Sequence, residues 1–266
     1  MPNFDLIIVS RGSNERKVVL MQAIILAAGK GSRLNDLTAD RPKCMVCVAG
    51  GSIIERMLRG IDRLGLSKVI IVDGYCGNIL RAYISSLDIK TPVSYIYNPI
   101  YDSTNNIYSL WLAKEMLLED DTLLLESDIV FEENVLYGLY ADTRKDLALV
   151  AKYKDWMDGT CLVLDDDDSI RKFVLGNCVD KNKLAEYYKT VNIYKFSKEF
   201  SRNLYVPELD AYRNEFGDGK YYEAALGALV DRVGSCIKAR CLSSEIWYEI
   251  DTLQDLHAAN KLFTGI

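Results

Sequence analysis

Histidine is nearly absent: His257 is the single one in 266 residues. A single histidine argues against a Ser-His-Asp triad or a His-rich metal site, so the chemistry is expected from carboxylates, lysine, arginine and backbone groups. Long apolar runs are missing too. None approaches the roughly 18–20 residues that span a bilayer, which argues against a membrane partner. The opening PNFDLIIVSRGSNERKVVL lacks the basic-then-apolar order and small-residue cleavage site of a secretory signal. A cytoplasmic protein is expected. Basic excess is absent as well: 32 Lys and Arg stand against 38 Asp and Glu, a formal charge of −6. Nucleic acid, which needs a basic face, is excluded as a partner, and small anions met by locally gathered cations remain. Seven cysteines, an odd number at irregular spacing, do not make a disulfide framework. Cys44 and Cys47 form a C-x-x-C inside the apolar run KCMVCVAG, and Cys236 and Cys241 are spaced too widely to complete a zinc site. Thiols packed in or near the core are expected.

What is present is an alternation of strand and helix. With 49% hydrophobic residues the chain can bury a large core. Apolar, β-rich runs at 22–27, 68–73, 93–97 and 122–126 alternate with helical patterns at 52–64, 79–87 and 107–118. Ser52 and Glu55 have the spacing of a capping box, and Ile54, Met57, Leu58, Ile61 and Leu64 fall on one helix face. Fully apolar strands between amphipathic helices predict a mostly parallel sheet covered on both faces, a doubly wound α/β fold. After residue 145 the pattern changes to strands at 147–153, 160–164, 170–175 and 190–196. Helices follow over 197–213 and 221–232, then strands near 236–242 and 246–250 and a helix from Thr252. The run Asp165 to Asp168 has no EF-hand spacing and reads as a solvated hairpin turn. Residues 21–266 read as one domain; residues 1–20 read as an extension whose role the sequence leaves open.

The strongest local signal is Ala27-Ala28-Gly29-Lys30-Gly31-Ser32-Arg33-Leu34, directly after a strand. Glycines there let backbone N–H groups approach phosphate oxygens, while Lys30 and Arg33 add positive charge. It has neither the Walker A spacing nor the third glycine of G-x-G-x-x-G, since Leu34 occupies that place. A glycine turn with two solvated cations is the competing reading. Arg41-Pro42-Lys43 then carries a lysine on a proline-stiffened approach.

Strand, then this glycine loop, then Pro-Lys resembles the signature of the sugar-phosphate nucleotidyltransferase superfamily. The resemblance implies a Rossmann-like mixed sheet with an appended acceptor-binding β/α extension. It assigns triphosphate contacts to Ala27, Ala28, Gly29, Lys30, Gly31, Ser32, Arg33 and Lys43. Tyr97-Asn98-Pro99-Ile100-Tyr101 followed by Asn105-Asn106-Ile107-Tyr108-Ser109-Leu110 is similar to the phosphocholine and 2-aminoethylphosphonate cytidylyltransferase branch. There Asn98, Asn105 and Asn106 would contact the nucleotide, with helix capping by Ser103 or Asn105 as the structural alternative. Glu126-Ser127-Asp128 at a strand end and Glu249-Ile250-Asp251 look like the family's two metal elements. They imply magnesium on Asp128 and Asp251; helix N-caps are the alternative.

On the acceptor side the resemblance points to Asp158, Asn192, Tyr222 and Glu223. Thr160 falls near the place where a choline cage would carry an aromatic ring, so Asp158 and Glu223 suit a primary amine better. The implied reaction is attack of an acceptor phosphate or phosphonate oxygen on the α-phosphorus of CTP, with Lys43, Arg33, Asp128 and Asp251 as the catalytic group. A sugar-1-phosphate enzyme using UTP or dTTP, a glycosyltransferase and a non-catalytic nucleotide sensor share parts of this pattern. Oligomeric state is left open, a homo-oligomer included.

Overall fold

The computed structural model describes residues 20–265. Apart from Leu20, the expected extension 1–20 lies outside the described residues. Four parallel strands form the centre: β1 (Met21–Ala27), β2 (Val69–Asp73), β3 (Val93–Tyr97) and β4 (Asp121–Glu126). Their order is β3-β2-β1-β4, with Ile25 opposite both Ile71 and Leu125. Strand order reverses between β1 and β4, so a crevice opens at their carboxyl ends.

The rest of the nine-stranded sheet comes from the second half: β6 (Leu147–Lys152), β7 (Cys161–Leu164), β8 (Ile170–Val174), β9 (Tyr188–Phe196) and β10 (Lys238–Cys241). Strand β9 is antiparallel to β4 through Ile193–Phe196 and to β6 along much of its length. Its register against β6 shifts between Thr190 and Tyr194, where Asn192 adopts φ +58°. Asparagine tolerates this left-handed geometry, and the bulge re-aims one side chain out of the pleat. A separate two-stranded ribbon pairs β5 (Ile129–Phe131) with β11 (Trp247–Glu249).

Alternate residues of β1 feed two cores. Ala23, Ile25 and Ala27 pack with α1 (Ile53–Leu64), α2 (Gly77–Ser85), α4 (Glu133–Ala141) and α7 (Leu253–Phe263). Ile24 and Leu26 pack on the other face with α3 (Asn106–Leu112), α5 (Val206–Phe216) and α6 (Tyr222–Val233). The sheet is therefore covered on both sides, a doubly wound mixed α/β fold. In α1 the Ser52 hydroxyl accepts from the Glu55 N–H at 3.2 Å, as its spacing predicts. Glu55 turns its own carboxylate to Arg59 and Tyr83 instead of completing the box.

Some elements differ from expectation. The helix predicted over 107–118 breaks at Ala113 into two pieces. The one over 197–213 contains a π turn at Ser201–Tyr205 just before Pro207, which has no N–H for the regular ladder. Asp165 to Asp168 forms the expected turn, with Asp168 at φ +65° and its N–H on the Asp165 carbonyl at 3.1 Å. Cys44 and Cys161 are buried, but Cys47 and Cys241 are exposed rather than packed in the core. Among the described residues, no helix is long and apolar enough to cross a membrane.

Candidate active site

A cavity of about 830 Å³ occupies the crevice at the ends of β1 and β4. Its upper wall is the loop after β1. Gly31 has φ +65°, and a Cβ there would stand 2.7 Å from the Cβ of Lys43. Glycine is thus required twice at this position, by the backbone and by the lysine packed against it. Gly29 is different: a Cβ on it would meet nothing within 4 Å. Packing inside the protein does not explain Gly29, whereas a ligand approaching its backbone would. Thr38 secures the loop by donating to the Gly31 carbonyl at 3.0 Å.

Lys43 enters the cavity from a short turn that follows Pro42. Its ammonium lies 2.8 Å from Asp128 Oδ2 and 2.6 Å from Asp251 Oδ1. Arg33 reaches the same Asp251 oxygen at 2.8 Å. Burial disfavours the charged lysine, but the two carboxylates outweigh it and hold its pKa above the ordinary value. Burial likewise raises Asp251, and Lys43 together with Arg33 and Lys189 more than reverses that, leaving its carboxyl below the usual range.

The β5–β11 ribbon is what brings the two aspartates together. Glu249 is paired with Ile129, and the Ile250 N–H donates to the Asp128 carbonyl at 2.9 Å. Neither aspartate is a helix N-cap. Thr252 caps α7 in a capping box with Asp255, whose carboxylate also accepts from the Asp251 N–H at 3.1 Å.

Asp128 Oδ1 is buried with no hydrogen-bond partner. An orphaned anionic oxygen beside a second carboxylate, with an ammonium at their meeting point, fits a divalent cation. Among the described residues, no group of three or more His, Cys, Asp or Glu is placed to hold a metal. Asp128 and Asp251 would therefore supply two ligands, and phosphate or water the remainder.

The floor of the cavity is acidic. Glu126, at the end of β4, and Glu223, in the first turn of α6, are bridged by the Asn106 side-chain amide, 2.9 and 3.5 Å from their oxygens. Burial, then the neighbouring Glu223, pushes the Glu126 carboxyl well up. Burial raises Glu223 to about 7. Glu249, by contrast, has a cation: Lys189 lies 3.0 Å away and also donates to the Thr190 carbonyl. Asn192, aimed inward by the β9 bulge, donates to Glu249 at 3.3 Å and leaves its own Oδ1 buried without a partner.

The structure gathers Ala28, Gly29, Gly31, Ser32, Arg33, Lys43, Asp128, Asp251, Asp158, Asn192 and Glu223 around this one cavity. Five expected residues sit differently. Ala27 is buried within β1. Lys30 is not among the lining residues; its ammonium lies 5.7 Å from the ring of Tyr101, which is. Tyr222 does not line the cavity, because it lies on the core face of α6, fully buried and edge-on to Tyr194; Tyr221 takes the lining position. Asn98 borders the cavity, yet its amide is spent on Thr104, Ser109 and the Ile100 N–H. Asn105 caps α3, the structural alternative for that residue. Asp158 accepts from the Gly159 N–H at 2.7 Å and remains exposed at the rim.

Sequence reasoning missed Lys189, and named Glu126 and Glu249 only as parts of the two metal elements, with no place of their own in the cavity. Glu126 and Glu249 each stand two residues before a proposed metal carboxylate, a doubled acidic-x-Asp spacing that was the available signal.

Over residues 22–263 the sequence matches the nucleotidyl transferase family. It is 30% identical to the CMP-5'-(3-aminopropyl)phosphonate synthase of Streptomyces rubellomurinus over 92% of this chain, which spans only 39% of that protein. It is also 30% identical to the CTP:phosphoglutamine cytidylyltransferase of Campylobacter jejuni, over 89% of this chain and 98% of that protein. Among solved structures, the CTP:phosphocholine cytidylyltransferase of Streptococcus pneumoniae shares the fold with TM-score 0.75 at 20% identity, covering 92% and 99% of the two chains. With the match running from β1 to the end of α7, through both carboxylate elements, this chain belongs to the nucleotidyl transferase family.

Proposed function

We propose that the chain is a magnesium-dependent cytidylyltransferase that moves CMP from CTP to a small amine-bearing phosphonate or phosphate, releasing pyrophosphate. The observation that carries this reading is the polarity of one cavity. Arg33, Lys43 and the glycine loop offer a phosphate site; Glu126 and Glu223, bridged by Asn106 in the same cavity, offer two carboxyls with no cation within ion-pair distance among the described residues. An acceptor with an anionic head and a protonated amine matches both groups. The orphaned Asn192 Oδ1 adds a further acceptor for an N–H donor. A primary ammonium, with three donors, suits this floor better than a quaternary one, and Thr160 supplies no ring for a cation–π cage. The relatives named for 3-aminopropylphosphonate and phosphoglutamine support the same class.

In the reaction an acceptor oxygen forms a bond to the α-phosphorus of CTP while the bridging bond to the β-phosphate breaks. The acceptor oxygen is already anionic at neutral pH, so no general base is needed. Arg33 and the loop N–H groups hold the leaving pyrophosphate. Lys43, released from the aspartates when nucleotide arrives, offsets charge at the α-phosphate. Asp128 and Asp251 would hold magnesium, which supplies Lewis-acid neutralisation of the phosphates. Positioning of acceptor against nucleotide provides the rest of the rate.

The test is pyrophosphate release, with magnesium, for CTP, UTP and dTTP against 2-aminoethylphosphonate, phosphoethanolamine, phosphocholine and two sugar 1-phosphates. Release with CTP and an amine acceptor, lost in Asp128→Ala and Lys43→Ala, is the expected result. Turnover of a sugar 1-phosphate with UTP or dTTP would replace the reading with the sugar-nucleotide one. Tight CTP binding without release would point to a sensor.

A further inference from the structure

Trp156 is 53% exposed, yet its ring is ordered against a neighbour. It lies parallel to Tyr248, with centroids 4.9 Å apart and planes 4° from parallel. The two rings belong to parts of the chain with different work. Trp156 is near the tip of the segment 153–160 between β6 and β7, whose inner end gives Asp158, Gly159 and Thr160 to the cavity lining. Tyr248 is in β11, next to Glu249 and three residues before Asp251, and it packs half-buried against the first core.

Little else ties the tip down. The segment's backbone joins its neighbours at its ends, through the Tyr153 N–H to the Tyr187 carbonyl and the Thr190 N–H to the Thr160 carbonyl, both 3.2 Å. Within it, the Tyr153 hydroxyl and the Lys154 carbonyl bond only to Met157. Met157 is buried, and Gly159 lies against Gly176 and Lys189, which fixes the inner end. The outer end is held across to the ribbon by the aromatic stack.

We infer that the Trp156–Tyr248 stack is a latch that closes the acceptor-side segment onto the carboxylate-bearing ribbon and so sets acceptor affinity. Neither ring is among the cavity-lining residues, so both are positioning residues acting through Asp158 and Glu249. The effect on the acceptor rests on the function proposed above, whereas the latch itself is a property of the empty protein.

Two measurements keep the two ideas apart. Amide hydrogen exchange needs no substrate. In Trp156→Ala, the Met157 amide, which donates to the Lys154 carbonyl within the segment, is expected to exchange roughly tenfold faster, the scale of an aromatic pair's contribution. Strands β6 and β9 keep their protection, and Trp156→Phe restores the wild-type rate. Steady-state kinetics then use whichever acceptor turns over: Trp156→Ala and Tyr248→Ala each raise the acceptor KM by a similar factor, leave the CTP KM alone, and show no added effect when combined. Unchanged exchange in Trp156→Ala, or a CTP KM that rises as much as the acceptor KM, overturns the latch. If no amine acceptor turns over, the function fails and the exchange result alone decides the latch.

Discussion

Replacing Lys43 with methionine keeps the volume of the side chain and deletes its charge. The consequence follows from where the ammonium sits. It is the shared partner of Asp128 and Asp251, with side-chain exposures of 13% for the lysine and 17% and 28% for the aspartates. Removing one member of a buried charge group typically costs about 3–5 kcal/mol, because the remaining charges are left uncompensated. Water reaches this group in part, and Arg33 still holds Asp251 at 2.8 Å. The lower end, about 2–3 kcal/mol, is therefore expected for Lys43→Met without metal. For a protein of this size that lowers Tm by roughly 5–10 °C. Magnesium should then behave differently on the two proteins. In the wild type a cation must displace the lysine from the aspartates; in the variant the place is open. Saturating magnesium, worth about 2.7 kcal/mol at a hundredfold excess over Kd, should raise the Tm of the variant more than that of the wild type. Differential scanning fluorimetry in EDTA and across a magnesium titration reads both effects. An unchanged Tm in EDTA, or equal magnesium increments, would refute the picture of Lys43 as the resident cation of an acidic pair.

Glu223 makes stability depend on pH. Burial raises its folded pKa to about 7 from an ordinary 4.5, so the protonated form is favoured by folding. That contribution is complete below pH 4.5 and drains away as pH rises through 7. Glu223→Gln escapes the loss and should exceed wild-type stability at alkaline pH by on the order of 3 kcal/mol, with the gap closing in acid; urea melts at several pH values measure this. The loop glycines should separate cleanly. Gly29→Ala is expected to fold like wild type but bind CTP weakly, whereas Gly31→Ala, strained at φ +65° and driven into Lys43, should lose both stability and activity; calorimetry with CTP and a thermal melt distinguish them. Thr252→Ala removes the cap of α7. About 1 kcal/mol of stability should go with it, along with magnesium affinity, as the Asp251 backbone loosens; a melt and a magnesium titration would show the two losses together.

Much of this was legible along the chain because strong local patterns agree with tertiary context. Strands β1 to β4 lie within one residue of the runs read from the sequence: β1, β2 and β4 are centred on buried Ile, Leu and Val, and the half-exposed edge strand β3 (VSYIY) is rich in β-branched and aromatic residues. The glycine loop and the two aspartates are local motifs, and Ser52 and Thr252 announce their helices by side-chain capping. Helix α4 (ENVLYGLYA) escaped notice, although Val135, Leu136 and Leu139 share its buried face. The floor of the cavity was harder to read. Lys189 and Glu126 are charged residues in or at the ends of apolar strands, a position usually facing water, and only tertiary pairing shows them enclosed. The Asn192 bulge depends on how β9 runs against β6, which no local rule specifies.

The ribbon of β5 and β11 has a consequence for how the protein is made. Lys43 is 85 positions from Asp128 and 208 from Asp251, yet all three meet at a single ammonium. Contacts so far apart in sequence close late, after shorter loops have formed. A growing chain can wind β1 to β4 around the glycine loop long before Trp247 emerges, leaving Lys43 and Asp128 facing each other with no second carboxylate. Competence therefore arrives in one step, with the docking of a three-residue strand, and a refolding chain should recover its sheet signal before it recovers metal binding.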